Sequence, residues 1–126
     1  MQVVNVGLGG TVIQDLPSAE YHKYQDGDQY HSTIIERGSW LYHLYGSNAV
    51  VNSAHHQSIG RPGRGLRIVQ HCPKDFCPEA VAHESLPILG VQWHPERLDP
   101  KRTILSGGAV LAYFVSLIVK QRQTAP

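Results

Sequence analysis

The one long helical pattern in this sequence lies at its end. From Ser106 onward, Leu111, Phe114, Val115 and Ile118 recur at i, i+3, i+4 and i+7, which predicts an amphipathic helix with Lys120 and Arg122 near its negative end. Everything before it breaks into short β-prone runs: 11–14, 31–36, a segment around Val50 and Val51, 66–71, 79–83 and 88–93. A short helix fits between them, capped by Ser39, running through Tyr45 and stopped by Gly46. Met1 to Leu8 is apolar without a clear period and ends in Gly9-Gly10, a helix stop or turn. Asp15 to Tyr30 reads as a long loop of the kind that often carries function, and Gly60 to Gly65 and Cys72 to Pro78 read as connections. The chain must therefore close with a helix packed on a sheet, with Leu111, Phe114, Val115 and Ile118 as its buried face.

Composition narrows the function. With 126 residues, 41% hydrophobic and 17% charged, the sequence has the size and makeup of one soluble globular domain. A net charge of +1 with acids and bases interspersed leaves no footprint for nucleic acid or an anionic membrane, so small neutral ligands fit better. The apolar run from Ala109 to Val119 is shorter than the roughly 20 residues a membrane span needs. No secretory signal is visible at Met1-Gln-Val-Val-Asn. Two cysteines, Cys72 and Cys77, do not make a disulfide framework, which favours a reducing, cytoplasmic setting.

The stretch Gly90-Val-Gln-Trp-His-Pro-Glu96 carries the chemistry. An apolar strand ends in a histidine and a glutamate separated by one proline, and in an extended chain side chains at i and i+2 share a face. Glu96 could then hold one ring nitrogen of His94 while the other exchanges a proton with a nucleophile, which is half of a catalytic triad. His55-His56 is a poorer metal pair, because neighbours on a strand point to opposite faces. His22, His31, His43, His71 and His83 are scattered, without partners at ligand spacing, and read as surface or structural residues; no metal site is expected. Cys72 and Cys77 are each followed closely by proline in a loop and lack the strand, tight turn and helix of a nucleophile elbow, so neither reads as a nucleophile.

Together with Val51-Asn-Ser-Ala-His-His-Gln57, Asn5-Val-Gly-Leu-Gly-Gly-Thr11, Gln14-Asp-Leu-Pro17 and Pro87-Ile-Leu-Gly90, this stretch resembles the class I glutamine amidotransferases. Within them it is most similar to the peptidase C26-like γ-glutamyl-γ-aminobutyrate hydrolase branch of the γ-glutamyl hydrolases. Trp93 before the histidine is similar to that branch, where many biosynthetic amidotransferases have phenylalanine. One departure is Cys77-Pro-Glu-Ala-Val-Ala82, which has proline at the start of a strand that usually reads Glu-Ala-x-Glu, and alanine for the second acid.

The resemblance covers nearly the whole chain and implies a three-layer, flavodoxin-like α/β fold with a mostly parallel sheet, of which residues 1–126 form the C-terminal part of one domain. It implies His94 as catalytic base and acid, Glu96 as the residue that orients it, and Gln2, His56 and Gln57 as lining of a γ-glutamyl pocket. Met1-Gln2 matches the last two positions of the family's Cys-Arg-Gly-x-Gln elbow, so the cysteine nucleophile is expected just before Met1, with the upstream strands and oxyanion loop. The implied reaction is hydrolysis of a γ-glutamyl amide through a thioester, with no metal and no organic cofactor. Alternatives are a glutaminase feeding ammonia to a synthase and a non-catalytic interaction module. A chain cut beside its nucleophile strand would leave an open sheet edge, so it is expected to be inactive alone and to meet a complementing N-terminal half or form a homo-oligomer. Truncation of a longer gene is the preferred explanation.

Overall fold

The computed structural model describes residues 1–124. The elements follow in the order α1 (Gln2–Gly7), β1 (Val12–Ile13), β2 (Gln29–Ile35), α2 (Trp40–Tyr45), β3 (Asn48–Ser53), β4 (Ser58–Ile59), β5 (Leu66–His71), β6 (Pro78–His83), β7 (Leu89–Val91) and α3 (Gly107–Thr124). Short 3₁₀ turns at Ala19–Tyr21 and Pro95–Arg97 interrupt the loops. Five strands form one sheet in the order β3-β2-β5-β6-β7, while β1 and β4 make a separate two-stranded ribbon.

Local chemistry accounts for the short helix. The Ser39 hydroxyl accepts a hydrogen bond from the Tyr42 amide at 3.2 Å, and Gly46 leaves the helix with φ of 78°, a conformation that favours glycine. Trp40 and Leu41 are then driven into the core with Ile35, Val51, Val69, Ala80 and Trp93. On the opposite face of the sheet, Val4 and Leu8 of the α1 region pack against Ile59, Leu66 and Val81. Helices on both sides of a central sheet give a three-layer α/β arrangement.

The expectation of a mostly parallel sheet does not describe these strands. Every neighbouring pair is antiparallel among the described residues. The links explain it: β5 reaches β6 through 72–77 and β6 reaches β7 through 84–88, too short for the crossover that parallel neighbours require.

The terminal helix forms where periodicity places it but turns a different face inward. Leu111, Phe114, Val115 and Ile118 are exposed, with Leu111 at 65%. Val110 and Tyr113 pack on the core instead, Tyr113 stacking on Trp40 at 5.4 Å. Two things decide this. The segment from Ala109 to Val119 is apolar around most of its circumference, so its pattern offers more than one candidate face. The helix start is also fixed: a Cβ on Gly107 would lie 1.8 Å from the Pro95 carbonyl oxygen, so helix and turn are in direct backbone contact.

Candidate functional site

Trp93 sets the position of the chemistry-bearing turn. It is 2% exposed, and its indole N–H donates to Gln70 Oε1 at 2.8 Å. Gln70 in turn donates to the Thr33 hydroxyl at 2.7 Å, which donates to the Ala49 carbonyl at 2.8 Å. This buried chain satisfies a polar tip that phenylalanine would lack.

Immediately after it, beyond the end of β7 at Val91, His94 caps the 3₁₀ turn formed by Pro95–Arg97. The extended arrangement expected for His94 and Glu96 is therefore replaced by a tighter one, because Pro95 has the fixed φ that suits a first helical position. The turn still brings the pair together: His94 Nδ1 lies 2.8 Å from Glu96 Oε1. Glu96 is largely exposed, and its own backbone N–H, then the His94 ring, hold its carboxyl below the ordinary range. His94 Nε2 has no hydrogen-bond partner among the described residues and its side chain is 38% exposed, leaving that nitrogen open to a reacting group.

Three residues that sequence reasoning left without a role hold this turn. Buried Asn52, at the end of β3, accepts from the His94 amide at 2.9 Å and donates to the His94 carbonyl at 3.1 Å. Its amide also donates to Asp28 Oδ2 at 2.9 Å. Arg97 then grips the Asp28 carboxylate with two hydrogen bonds, of 2.7 and 2.8 Å. The only signal in the sequence was that Asn52 opens the polar segment leaving β3.

The remaining pocket candidates make hydrogen bonds of their own or sit in α1. Gln2 is half-buried in the first turn of α1. His56 is exposed, with Nδ1 3.0 Å from Asp15 Oδ1, and Gln57 donates to Gln14 Oε1 at 2.7 Å. The His56 carbonyl also accepts from the Leu16 amide at 2.8 Å, so 55–57 is stitched to 14–16. Among the described residues, none of Gln2, His56 and Gln57 hydrogen-bonds to His94 or Glu96.

His55 and His56 do face opposite ways, but His55 points into a buried cluster. The scattered histidines correct the sequence reading here, since His22 and His31 converge on Glu79, which is fully buried. Glu79 Oε1 lies 3.3 Å from His31 Nε2, 3.7 Å from His22 Nδ1 and 3.9 Å from His55 Nε2. Burial raises the Glu79 carboxyl and pulls the His55 imidazole down to about 4. Nearby, Cys72 and Cys77 are buried free thiols, and burial pushes Cys77 up to about 12, the reverse of an activated nucleophile.

Beside Glu96 runs an open groove of about 660 Å³ whose walls include Leu89, Pro95, Val110, Leu111 and Phe114. No helix among the described residues is long and apolar enough to cross a membrane.

The sequence profile of the Peptidase C26 family matches residues 1–96, the stretch that ends at the histidine–glutamate pair. The chain belongs to the Peptidase C26 family. A candidate glutamine amidotransferase-like protein of Lactococcus lactis is 36% identical over 102 residues, covering 76% of this chain and 42% of that protein. A candidate glutamine amidotransferase of Mycobacterium tuberculosis is 38% identical over 110 residues, covering 80% of this chain and 34% of that protein. This family member thus spans less than half the length of these curated relatives. Among solved structures, a candidate GMP synthase component from Thermoplasma acidophilum superposes with a TM-score of 0.76 at 15% identity, over 97% of this chain and 55% of that one. A Thermotoga maritima glutamine amidotransferase gives 0.59 at 12% identity, over 96% and 46%. These two likenesses establish the fold.

Proposed function

We propose that this chain supplies the histidine–glutamate half of a Cys-His-Glu amide hydrolase acting on γ-glutamyl compounds. The observation that carries the reading is the 2.8 Å contact between His94 Nδ1 and Glu96 Oε1 on a clamped turn, with Nε2 left open. In this reading His94 takes the thiol proton of a cysteine, which attacks the γ-carbonyl carbon. Collapse of the tetrahedral intermediate breaks the C–N bond, and His94 gives the proton to the departing amine, leaving a thioester. Water, deprotonated by the same imidazole, then releases glutamate and regenerates the thiol. Glu96 orients the ring and stabilises the imidazolium.

The nucleophile in this reading comes from the segment just before Met1. Support comes from the packing of Met1, whose Cα lies 3.4 Å from where a Gly90 Cβ would stand, on the strand that leads to His94. Trp93 favours the hydrolase branch over a synthase-coupled glutaminase, a cytoplasmic setting fits the free buried thiols, and the complementing N-terminal half is the expected partner.

The test compares the 126-residue chain with a version extended upstream through the elbow cysteine, using glutamine and γ-glutamyl-γ-aminobutyrate as substrates. Hydrolysis only by the extended protein, abolished by His94→Ala and weakened less by Glu96→Ala, is the expected result. Wild-type rates in both variants would overturn the assignment, and glutamine turnover dependent on a synthase would favour the amidotransferase alternative.

A further inference from the structure

The buried histidines are arranged in an unusual way for a satisfied core. His55 Nδ1 lies 2.8 Å from the Gln57 carbonyl, and His31 Nδ1 lies 3.2 Å from the Ser32 carbonyl. His22 Nε2 lies 2.8 Å from Asp75 Oδ2. Each contact is to an acceptor, so each of these nitrogens carries the proton and the opposite nitrogen presents a lone pair. Those lone-pair nitrogens, His22 Nδ1, His31 Nε2 and His55 Nε2, are the atoms that surround Glu79 Oε1. Neither carboxylate oxygen of Glu79 has a hydrogen-bond partner, nor does His31 Nε2 or His55 Nε2. Acceptors thus crowd around a buried carboxylate, and the hydroxyl within reach, Ser53 Oγ at 3.3 Å from His22 Nδ1, donates to the His22 carbonyl at 3.0 Å.

A buried carboxylate with nothing donating to it is among the most destabilising features a core can carry. A cation resolves it. We propose that His22 Nδ1, His55 Nε2 and Glu79 form a binding site for a divalent transition metal of the zinc class. Ligand atoms of a tetrahedral zinc site, with bonds of about 2.0 to 2.1 Å, sit about 3.3 Å apart. The separations of 3.7 Å from His22 Nδ1 and 3.9 Å from His55 Nε2 to Glu79 Oε1 are within a small contraction of that figure, whereas His31 Nε2, 3.3 Å from the same oxygen, lies outside the set whose ligand atoms are all within 4.8 Å of one another and stays a neighbour of the carboxylate. Imidazole and carboxylate donors suit zinc and its neighbours, and the hydrogen bonds to Asp75 and Gln57 are the outer contacts that fix the orientation of metal-bound histidines.

The backbone is shaped for this as well. β2 pairs with β5 only at Ile34 and Ile35, so its other half diverges and leaves room for the cluster. On β6, pairing jumps from His71↔Pro78 to Gln70↔Ala80, which leaves Glu79 as the extra residue of a bulge. Cys77 Sγ also falls within 4.8 Å of the His22, His55 and Glu79 ligand atoms. It donates to the Ser58 hydroxyl at 3.3 Å, and we place it outside the ligand set. The metal would tie the 15–28 loop, the β3 exit and β6 together, holding the segment that presents His56 and Gln57.

The full chain, stripped with a chelator, is titrated with zinc in competition with a chromophoric chelator, and with cobalt as a spectroscopic probe. One equivalent of zinc, a rise in melting temperature on loading, and a tetrahedral cobalt spectrum without a thiolate charge-transfer band are expected. Glu79→Gln and His55→Gln should weaken binding by more than the about 10- to 100-fold expected for Asp75→Asn, which removes only an orienting contact. His43→Gln, at an exposed histidine, should bind as wild type. The rival occupant is a single proton shared between Glu79 and His31. Absence of stoichiometric zinc binding, with Glu79→Gln stabilising the metal-free chain, would overturn the proposal in favour of that proton. A thiolate band, or full binding by a Glu79→Gln/His55→Gln double variant, would overturn the ligand assignment. Should a variant fail to fold, the wild-type cobalt spectrum and thermal shift still decide. None of these readouts depends on amide hydrolysis, so this proposal and the hydrolase reading can fail separately.

Discussion

His94 and Glu96 are two residues apart on a partly exposed turn, whereas His22, His31, His55 and Glu79 come from four separate stretches and meet in the interior. Both constellations pair imidazole with carboxylate, but solvent access gives them opposite consequences. An exposed pair is screened by water and contributes little to stability, so its placement matters for chemistry. In the buried set every unpaired atom is costly, so its occupancy matters for the fold. The same residue types therefore answer different questions according to where the chain carries them.

That contrast can be broken most directly at its two glutamates. With zinc bound, Glu79→Gln is expected to destabilise the chain by about 3 to 5 kcal/mol, the cost of removing one member of a buried charged set. Glu96→Gln should stay within about 0.5 kcal/mol, as for other surface changes. Denaturant unfolding in the presence of zinc measures both, and equal costs would erase the distinction.

The clamp behind the exposed turn gives the next effects. Gly107→Ala must displace the Pro95 carbonyl, and overpacking of this kind costs about 1 to 3 kcal/mol. Asn52→Ala leaves the His94 amide and carbonyl without their partner, at a similar cost of about 1 to 3 kcal/mol. In the upstream-extended protein, both should also lower the hydrolysis rate without weakening zinc binding. A parallel loss of zinc would show that the two regions are one cooperative unit.

Trp93→Phe keeps most of the buried ring but strands Gln70 Oε1, for which about 1 kcal/mol is expected in the same unfolding assay. Smallest is the pH effect at Glu96. Its folded value lies below the ordinary carboxylate value of about 4, so the pairing is fully present above that pH and is lost as pH falls through the lower folded value. Because the side chain is mostly exposed, the effect should be visible in an NMR titration of the Glu96 carboxyl and absent from unfolding curves. His94→Ala should move that titration back toward the ordinary value.

Much of the fold was legible because it depends on neighbours in sequence. The Ser39 cap, the Gly46 stop, the strands at 66–71 and 79–83 and the helix after Ser106 each follow from residues within a few positions of one another. Pro95 is instructive as a partial miss: the pairing of His94 with Glu96 was readable from spacing, but the 3₁₀ turn that achieves it was not. The inward face of α3 was not readable either, since an apolar stretch offers several faces and the contact of Gly107 with Pro95 chooses among them.

The sequence by itself determined most of the elements, α1 and β4 excepted, together with the apolar strand that precedes His94-Pro-Glu96 and the family to which those motifs point. Only the tertiary structure decided the antiparallel order of the strands, the face that α3 buries, the grip of Asn52, Asp28 and Arg97 on the turn that carries His94, and the meeting of His22, His31 and His55 around Glu79. Local propensity and capping act over one or two turns of chain. Contacts between residues tens of positions apart depend instead on how the sheet closes, a property of the whole packing that no short window of residues contains.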